Sequence, residues 1–493
     1  MRIVPPDIAA AVPLVVGVVV SSKEAAPAET ALRAFETVLG DLQRQFPQTP
    51  LALLTELPHE WEHAVVRVAE LLDVAVIPCV AAAAVPEGSQ PNAVDRPPKI
   101  VDGDARLFIA HACDILVTLA NAAAPADLLV LADRRRTGEP RPAGQPLLTP
   151  RDVGPCYTIE GASVAKSFPM RSAGDQRAET EFFAGLARRN RFNADVTRQH
   201  DTASGTTIER LRARIAHVTD GLQVKTNAFQ IALYGLALVA ASFEIFPTGL
   251  IGTYLKFGAL SVAFIIYFFV RREKYQSRYQ DYRAISEALR VQAVWSRIGV
   301  AERVEDSYLP MQQTDLQWIR NVLRVVNSLD TPQADAKRRD AVLDWVTGQH
   351  DYFFKHSRIE AKNRDFFLEA SSVFGALSVV SSLATLGLFL ARGGKPPETL
   401  TVDLGIIAGL SALFVAAARS YARTRGHGEN ANRYQRMFFV FERALEVLNG
   451  AAVDEARTRA VAVELGRVAL AEHAEWLLAQ RERPITLVAT SAA

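Results

Sequence analysis

Cysteine is scarce in this chain of 493 residues, which contains only three. Cys79, Cys113 and Cys156 lie far apart, and none of them is in the C-x-x-C spacing of metal-binding and redox motifs. An odd, widely spaced set of cysteines argues against a disulfide framework and against a zinc ribbon. We therefore expect the chain to reside in a reducing compartment.

A net charge of either sign is also lacking. The formal net charge is +1, and 22% of the residues are charged. Proteins that bind nucleic acid usually present a strongly basic surface to the phosphates. The composition supplies no such excess, so nucleic acid is not expected as a partner.

The glycine-rich loops that bind nucleotide phosphates are missing as well. The sequence contains neither G-x-G-x-x-G nor G-x-x-x-x-G-K-[ST]. These motifs bring backbone N–H groups close to a phosphate at the start of a helix. Their absence argues against a standard dinucleotide-binding or nucleoside-triphosphate-binding loop.

Long apolar runs, in contrast, are present at residues 227–243, 249–270, 370–391 and 404–418. The third run is uncharged for 22 residues, which at about 1.5 Å per residue is enough to cross a hydrocarbon core of about 30 Å. The fourth run is short, but it pairs with the third. The pattern predicts four transmembrane helices in two hairpins; the alternative is the core of a soluble helical bundle.

Basic residues flank one side of both hairpins, namely Arg271, Arg272, Lys274, Lys362, Arg364, Arg419, Arg423 and Arg425. The tip "EIFPT" has no basic residue, and the tip "RGGKPPETLTVD" has Arg392 and Lys395. The positive-inside rule then places both hairpin tips outside and both termini in the cytoplasm. Glu244, Lys256 and Asp403 are the charges near or inside the apolar runs, and charges at such positions are candidates for function. Lys256 could equally extend its side chain to the outer interface.

A patterned, charged segment follows the second run without an intervening Gly or Pro. This segment, "RYQDYRAISEALRVQAVW" at residues 278–295, carries apolar side chains at helical spacing. It predicts one helix from Leu250 to Ile298, about 70 Å long at 1.5 Å per residue. A similar segment, "NRYQRMFFVFERALEVL", follows the fourth run. The chain thus resembles two repeats of a hairpin plus a cytoplasmic helix.

Strand and helix patterns alternate in residues 1–165. Short Val- and Ile-rich strands, "PLVVGVVV", "LALLT", "VAVIPCV" and "DILVTL", are separated by helical segments. This alternation predicts an α/β Rossmann-like domain with a parallel sheet, whose ligands bind at the carboxyl ends of the strands. The rest of the chain is expected to be all-α: a linker (166–226), two transmembrane hairpins with cytoplasmic helices (227–330 and 331–450), and a final amphipathic helix and tail (451–493).

The turn after the first predicted strand is the first candidate ligand site. It reads "GVVVSSKEAAPAET" and contains Gly17, Ser21, Ser22 and Lys23. The Ser hydroxyls and Lys23 could hold a phosphate, and the alternative is a solvated loop that caps the next helix. Asp114 in "HACD" is a further candidate for the same cleft.

The segment "HEWEH" matches H-E-x-x-H, which places His59 and His63 one helical turn apart with Glu60 between them. In zinc peptidases such a glutamate activates a metal-bound water. The charge of Glu62 at a position that is usually apolar, and the absence of an orderly third ligand, favour solvated first-turn residues instead. No metal or cofactor is therefore expected, and we do not expect an enzyme.

Several segments together resemble a known family. "PLVVGVVVSSK", "LALLTELPHEWEHAVVRVAELLDVAVIPCV", "AHACDILVTL" and "DVGPCYTI" resemble the SLOG domains of bacteria, which are Rossmann-like ligand sensors related to nucleotide-processing enzymes. "YQDYRAISEALRVQAVW" and "ALAEHAEWLLAQRERPI", beside paired spans, are similar to SLATT-type membrane effectors of bacterial conflict and antiviral systems. Ser21 and Ser22 stand where the SLOG first loop usually has His and Arg, and Glu62 and His63 match the Asp and Arg of its second motif.

The resemblance implies a multi-pass protein of the bacterial inner membrane. A cytoplasmic sensor, responding to a nucleotide-derived signal or a partner protein, would control a membrane assembly that forms a pore or disrupts the bilayer. Four spans can hardly enclose a channel alone, so a homo-oligomer in contact with lipid is expected. Two alternatives stay open: a membrane-tethered enzyme, acting on nucleotides or as a zinc peptidase through His59, Glu60 and His63, and a membrane scaffold without a ligand.

Overall fold

A computed structural model of the chain describes residues 7–20, 27–56, 59–81, 99–101, 104–124, 126–137, 154–168, 176–199, 205–246, 249–300, 302–309, 316–330, 338–394, 398–450 and 454–483. The strands are β1 (Leu14–Val20), β2 (Leu51–Thr55), β3 (Ala75–Ala81), β4 (Lys99–Val101), β5 (Ile115–Ala120), β6 (Cys156–Glu160) and β7 (Ser163–Ser167). The first helices are α1 (Glu29–Gln45), α2 (His59–Leu71), α3 (Ala105–Ala112), α4 (Ala126–Thr137), α5 (Gln176–Thr197), α6 (Thr207–Ile245) and α7 (Gly249–Glu273). They are followed by α8 (Tyr275–Arg297), α9 (Val304–Ser307), α10 (Gln317–Leu329), α11 (Arg338–Ala391), α12 (Glu398–Arg425), α13 (His427–Leu448) and α14 (Glu455–Arg481).

The chain divides into two compact units. The first, here called the sheet unit, comprises residues 1–218, 281–335 and 470–474. The second, here called the hairpin unit, comprises residues 219–280, 336–469 and 475–493. Helices α6, α8 and α14 contribute residues to both units.

The sheet unit contains a seven-stranded sheet in the order β4-β3-β2-β1-β5-β6-β7. All neighbouring strands are parallel except β6 and β7, which are antiparallel. The four predicted strands are confirmed as β1, β2, β3 and β5, because runs of β-branched residues suit strands that are buried on both faces. The order reverses between β1 and β5, as it does in doubly wound sheets.

Helices cover both faces of the sheet. Alternate residues of β1 face opposite sides, so Val16 and Val18 belong to a core with Phe35 of α1 and Trp61 of α2. The opposite face meets α3, whose Ile109 side chain lies beside Gly17. Helix α10 is also buried, and Trp318 lies against Gly185 of α5.

The hairpin unit contains a long antiparallel helix pair. Helix α11 has 54 residues, about 80 Å at 1.5 Å per residue. Helix α12 packs along its carboxyl half, where the Phe374 and Phe414 rings are 4.2 Å apart, and α13 packs along its amino half, where the Phe353 and Phe441 rings are 5.4 Å apart. Helices α12 and α13 therefore follow one another antiparallel to α11.

The predicted uninterrupted helix from Leu250 to Ile298 is wrong, because the structure divides this segment into α7 and α8. Lys274 has φ +53° and separates α7 from α8. Gly426, with φ +67°, separates α12 from α13 in the same way. The sequence gives no sign of the break at Lys274. Gly, Asn and Asp are the residues that usually adopt a left-handed backbone conformation, and lysine rarely does. Both helix pairs thus have a left-handed residue between the apolar helix and the charged helix that follows it.

Candidate functional site

The carboxyl ends of β1 and β5 are the place where a doubly wound sheet offers a ligand crevice. Three of the predicted ligand residues, Ser21, Ser22 and Lys23, lie outside the described residues. At this edge Asn121, which follows β5, accepts a hydrogen bond from the backbone N–H of Ala28 at 2.6 Å. Ala28 immediately precedes α1, so Asn121 fixes the start of that helix next to the end of β5.

Carboxylates dominate the described side chains at this edge. Asp104 caps α3 by accepting hydrogen bonds from the backbone N–H groups of Arg106 and Leu107. Arg106 lies 3.6 Å from Glu56 and 3.3 Å from Asp127. Burial raises the pKa of Glu56, and Arg106 opposes this shift. The guanidinium is therefore already shared between two carboxylates, and these residues do not form a phosphate cradle.

Gly17 does not lie in the loop where the sequence interpretation placed it. It is the fourth residue of β1 and pairs with Leu54 and Leu116. A Cβ atom at this position would lie 2.7 Å from Cγ2 of Ile109 and 2.8 Å from Sγ of Cys113. Glycine here allows α3 to approach the strand, which is a packing role.

Asp114 likewise has a different place from the one predicted. It precedes β5, at the amino edge of the sheet, and is fully buried. Arg189 of α5 binds both carboxylate oxygens, at 2.6 and 2.9 Å, and Arg324 of α10 donates to Oδ1 at 3.2 Å. The backbone N–H of Val15 donates to Oδ2 at 3.0 Å. Asp114 therefore ties helices α5 and α10 to the sheet and is not available to a ligand.

The charge balance explains why Asp114 remains ionised. Burial alone would raise its pKa, but Arg189 and Arg324 together hold the pKa below its usual value. The Arg189 side chain is also buried and donates to the carbonyl oxygen of Pro13 at 3.1 Å. Buried charges of this kind are stable only as paired, hydrogen-bonded groups.

The H-E-x-x-H segment begins α2, whose first residue is His59. His63 is exposed, and Trp61 is fully buried in the core. The side chains of His59 and Glu60 lie outside the described residues. Among the described residues, no group of three or more His, Cys, Asp or Glu side chains could hold a metal ion.

The charges predicted near the apolar runs have separate positions. Glu244 near the end of α6 and Lys256 of α7 form an ion pair with each other. Asp403 is exposed on α12. The structure thus brings two of the three together as partners across the first hairpin.

In the part of the chain that the structure describes, four helical stretches are long and apolar enough to cross a membrane: Thr207–Ile245, Gly249–Arg297 (α7 with α8), Arg338–Ala391 and Val402–Leu448 (most of α12 with α13). Their large apolar side chains point outward; Leu250, Ile251 and Leu390 are each about 70% exposed. Several of the buried residues of these helices are small, namely Ala240, Gly252, Ala263, Ser371, Ser381, Ser411 and Ala418. This distribution, with small residues inside and large apolar residues facing outward, is expected of helices packed in lipid.

A polar contact joins the two hairpins. The Tyr234 hydroxyl of α6 lies 2.8 Å from the Thr424 hydroxyl and 3.2 Å from the Ser420 hydroxyl of α12. Farther along, Ile245 lies against Gly409. Helix α6 therefore runs antiparallel to α12, and the interface combines a hydroxyl cluster with a glycine contact.

Sequence reasoning missed Arg189 and Arg324, the partners of Asp114. They lie 75 and 210 residues away from it along the chain, so no local pattern connects them. The one signal in the sequence is Asp114 itself. An aspartate that directly precedes a buried apolar strand needs a cationic partner elsewhere in the chain.

Comparison of the chain with protein-family models, with curated proteins and with solved structures finds no match. The resemblance to SLOG and SLATT proteins stays a prediction.

Proposed function

We propose that the chain is a multi-pass membrane protein in which a cytoplasmic Rossmann-like unit controls an oligomeric assembly of membrane helices. The observation that carries this proposal is the outward orientation of large apolar side chains on four helices of sufficient length. In water, such a surface would drive aggregation, whereas in a bilayer it is solvated by the acyl chains.

The flanking charges support a topology with both termini in the cytoplasm. Arg271 and Arg272 end α7, and Arg423 and Arg425 end α12, whereas the loop between α6 and α7 has no basic residue. Positively charged loops are retained on the cytoplasmic side. By resemblance, the membrane is the bacterial inner membrane.

The output of the assembly is proposed to be pore formation or membrane disruption, in defence against an intruder. Four spans leave no room for an aqueous channel within one copy, so several copies would have to associate. The polar seam around Tyr234, Ser420 and Thr424 supports a rearrangement between hairpins, because hydroxyl contacts can be exchanged at low cost.

The input is proposed to be a small signal or partner protein bound by the sheet unit. Helices α5 and α10 converge on Asp114 at the amino edge of the sheet, so a change in the sheet would be transmitted to both. The carboxylates around Arg106 disfavour a nucleotide phosphate at that part of the opposite edge.

Induced expression with a leakage dye tests the effector activity. The variant Ala288→Pro interrupts α8 at a buried position, and Ala288→Ser keeps the helix. We expect leakage with the wild-type chain and with Ala288→Ser, and its loss with Ala288→Pro while all three chains remain in the membrane fraction. Absence of leakage from the wild-type chain in the membrane would contradict effector activity.

A further inference from the structure

Three aromatic rings meet where the first hairpin ends. Phe229 of α6, Phe269 of α7 and Tyr275 of α8 have ring centres 5.6 to 6.2 Å apart in every pairing, and we call them the ring triad. The Nζ atom of Lys225 in α6 lies 5.9 Å from the Tyr275 ring centre, and the Cζ atom of Arg278 in α8 lies at the same distance. All of these residues belong to the hairpin unit.

Two exposed cations, Lys225 and Arg272, lie one helical turn beyond the ring triad. Lys225 is four residues before Phe229 on α6, and Arg272 is three residues after Phe269 on α7, so each cation shares a helix face with a ring. The Phe229 and Phe269 rings are in contact, so these two faces are adjacent. The ring triad therefore places Lys225 and Arg272 at one surface.

The charges of these two cations are not compensated within the residues that the structure describes. Neither Lys225 nor Arg272 forms an ion pair with a described carboxylate. The contact of Lys225 with the Tyr275 ring positions the ammonium group without neutralising it. The adjoining segment 271–278 contains four cations and a single carboxylate, Glu273. The surface therefore carries a local excess of positive charge.

The surface lies at the depth expected of a bilayer interface. Lys225 is 20 residues before the end of α6, and Arg272 is 23 residues after the start of α7. At about 1.5 Å per residue these lengths are about 30 to 35 Å, which matches a hydrocarbon core of about 30 Å. The charges between the surface and the hairpin tip are Glu244 and Lys256, which pair with each other. The cations and Tyr275 are thus at the level of lipid headgroups, where tyrosine is enriched.

The corresponding junction of the second hairpin contains carboxylates of the chain itself. Where α12 meets α13, Glu429 pairs with Arg483. His427 of the same junction lies 2.6 Å from Glu360 of α11. Glu429 is in the first turn of α13, whereas the first turn of α8 contains no acidic residue. This difference favours an anion from outside the chain at the junction of α7 and α8.

We infer that Lys225, Arg272 and the ring triad form a binding site for the headgroup of an anionic phospholipid. The ammonium and guanidinium groups bind the phosphate oxygens, and the Tyr275 ring holds the ammonium group at the level of the headgroups. The site rests on the proposed membrane function and deepens it by naming the class of lipid that the hairpin unit recognises.

A phospholipid fits this surface better than a free phosphate ion does. Phe264 and Phe268 of α7 are 59% and 60% exposed. They precede Arg272 at intervals of four residues, so all three lie on one face of the helix. The acyl chains of a bound lipid would cover these rings, whereas a free ion would leave them uncovered. The surface thus offers a cationic end for the headgroup and an apolar face for the chains.

Lipid binding is measured by native mass spectrometry of the full chain in detergent, a readout that does not depend on leakage. The probes are phosphatidylglycerol, phosphatidylcholine with the same acyl chains, and inorganic phosphate. The first has an anionic headgroup, the second has a headgroup without net charge, and the third has no acyl chains. Lys225→Gln and Arg272→Gln each remove one cation of the site. Arg423→Gln is the matched control, because it removes an exposed cation from the last turn of α12, in the second hairpin.

We expect the wild-type chain to bind phosphatidylglycerol about tenfold more tightly than phosphatidylcholine, which corresponds to about 1.4 kcal/mol. Lys225→Gln and Arg272→Gln should each reduce this preference about fivefold, because each removes one cation next to the headgroup. Arg423→Gln should retain the preference, and inorganic phosphate should not displace the lipid. Unchanged binding of phosphatidylcholine shows that each variant is folded.

Three results would overturn the inference. Equal binding of the two lipids by the wild-type chain would show that the headgroup charge is not recognised. An equal loss of preference in all three variants would mean that diffuse positive charge, and not this site, attracts the lipid. Displacement by inorganic phosphate would show that the site binds a free anion. Leakage is scored separately, so a chain that prefers the anionic lipid without causing leakage keeps the site and loses the effector activity.

Discussion

The two units use the same apolar residue types in opposite ways. In the sheet unit, Val16, Leu53 and Val117 are completely buried between helices. In the hairpin unit, Leu250, Val373 and Leu383 are mostly exposed, and several of the buried residues of its apolar helices are small. Composition alone does not distinguish the two, because the hydrophobic effect rewards removal from water and does not specify what replaces the water. The proposed lipid environment of the hairpin unit accounts for this contrast.

The largest expected effect concerns the charged centre of the sheet unit. Asp114→Asn leaves Arg189 and Arg324 buried with reduced compensation, so we expect a loss of about 3–5 kcal/mol of stability. The free energy of local unfolding can be measured by hydrogen exchange of the β1 and β5 amides in the full chain. Asp127→Asn is the control, because Asp127 is half exposed and only partly shares Arg106; its effect should stay below about 1 kcal/mol.

The same centre is expected to make the stability of the sheet unit depend on pH in acid. The pKa of Asp114 is lower in the folded chain than its ordinary value. Its stabilisation is therefore complete above the ordinary value and is lost as the pH falls through the lower, folded value. A wild-type chain that loses no stability in acid relative to Asp114→Asn would contradict this assignment.

A glycine pair compares the packing of the two units directly. Gly17→Ala places a methyl group less than 3 Å from Ile109 and Cys113, so it should cost about 1–3 kcal/mol by overpacking. Gly221→Ala in α6 meets nothing within 4 Å and should be neutral or stabilise by up to about 1 kcal/mol through helix propensity. Thermal unfolding followed by tryptophan fluorescence tests both. Equal destabilisation would mean that the helix is packed as tightly as the strand.

A smaller, opposite effect is expected at Glu305. The pKa of its carboxyl group is raised above the ordinary value in the folded chain, because burial disfavours the charge. Stability is therefore highest below the ordinary value and is lost as the pH rises through the folded value. Glu305→Gln should remove that pH dependence and stabilise the chain at neutral pH by on the order of 1 kcal/mol.

The control for Glu305 is Glu70→Gln, since Glu70 is exposed on α2. Unfolding temperatures between pH 5 and 8 can be followed by fluorescence, because Trp61, Trp295 and Trp318 are buried in the sheet unit. A steeper pH dependence in Glu305→Gln than in the wild-type chain would refute the account of this carboxyl group.

Periodicity predicted much of the local structure because it reports burial directly. The strands around Val16, Leu53 and Leu116 and the helices around Phe35 and Ile109 follow from it. The break at Lys274 did not, because lysine has no preference for a left-handed backbone. The predicted ligand role of Asp114 depended on which end of β5 it occupies. Asp114 precedes β5 and therefore lies at the amino edge of the sheet, away from the expected crevice. Its arginine partners required knowledge of the tertiary fold.

The claim that lipid surrounds the hairpin unit can be tested with two matched leucines. Leu71 on α2 is 70% exposed and Leu383 on α11 is 61% exposed, and all three native cysteines are buried. In open membrane fragments, we expect Leu71→Cys to react rapidly with a water-soluble maleimide and Leu383→Cys to react only after the membrane is dissolved in denaturing detergent. Rapid reaction of both thiols in the intact fragments would show that water surrounds α11, and the membrane account would then be wrong.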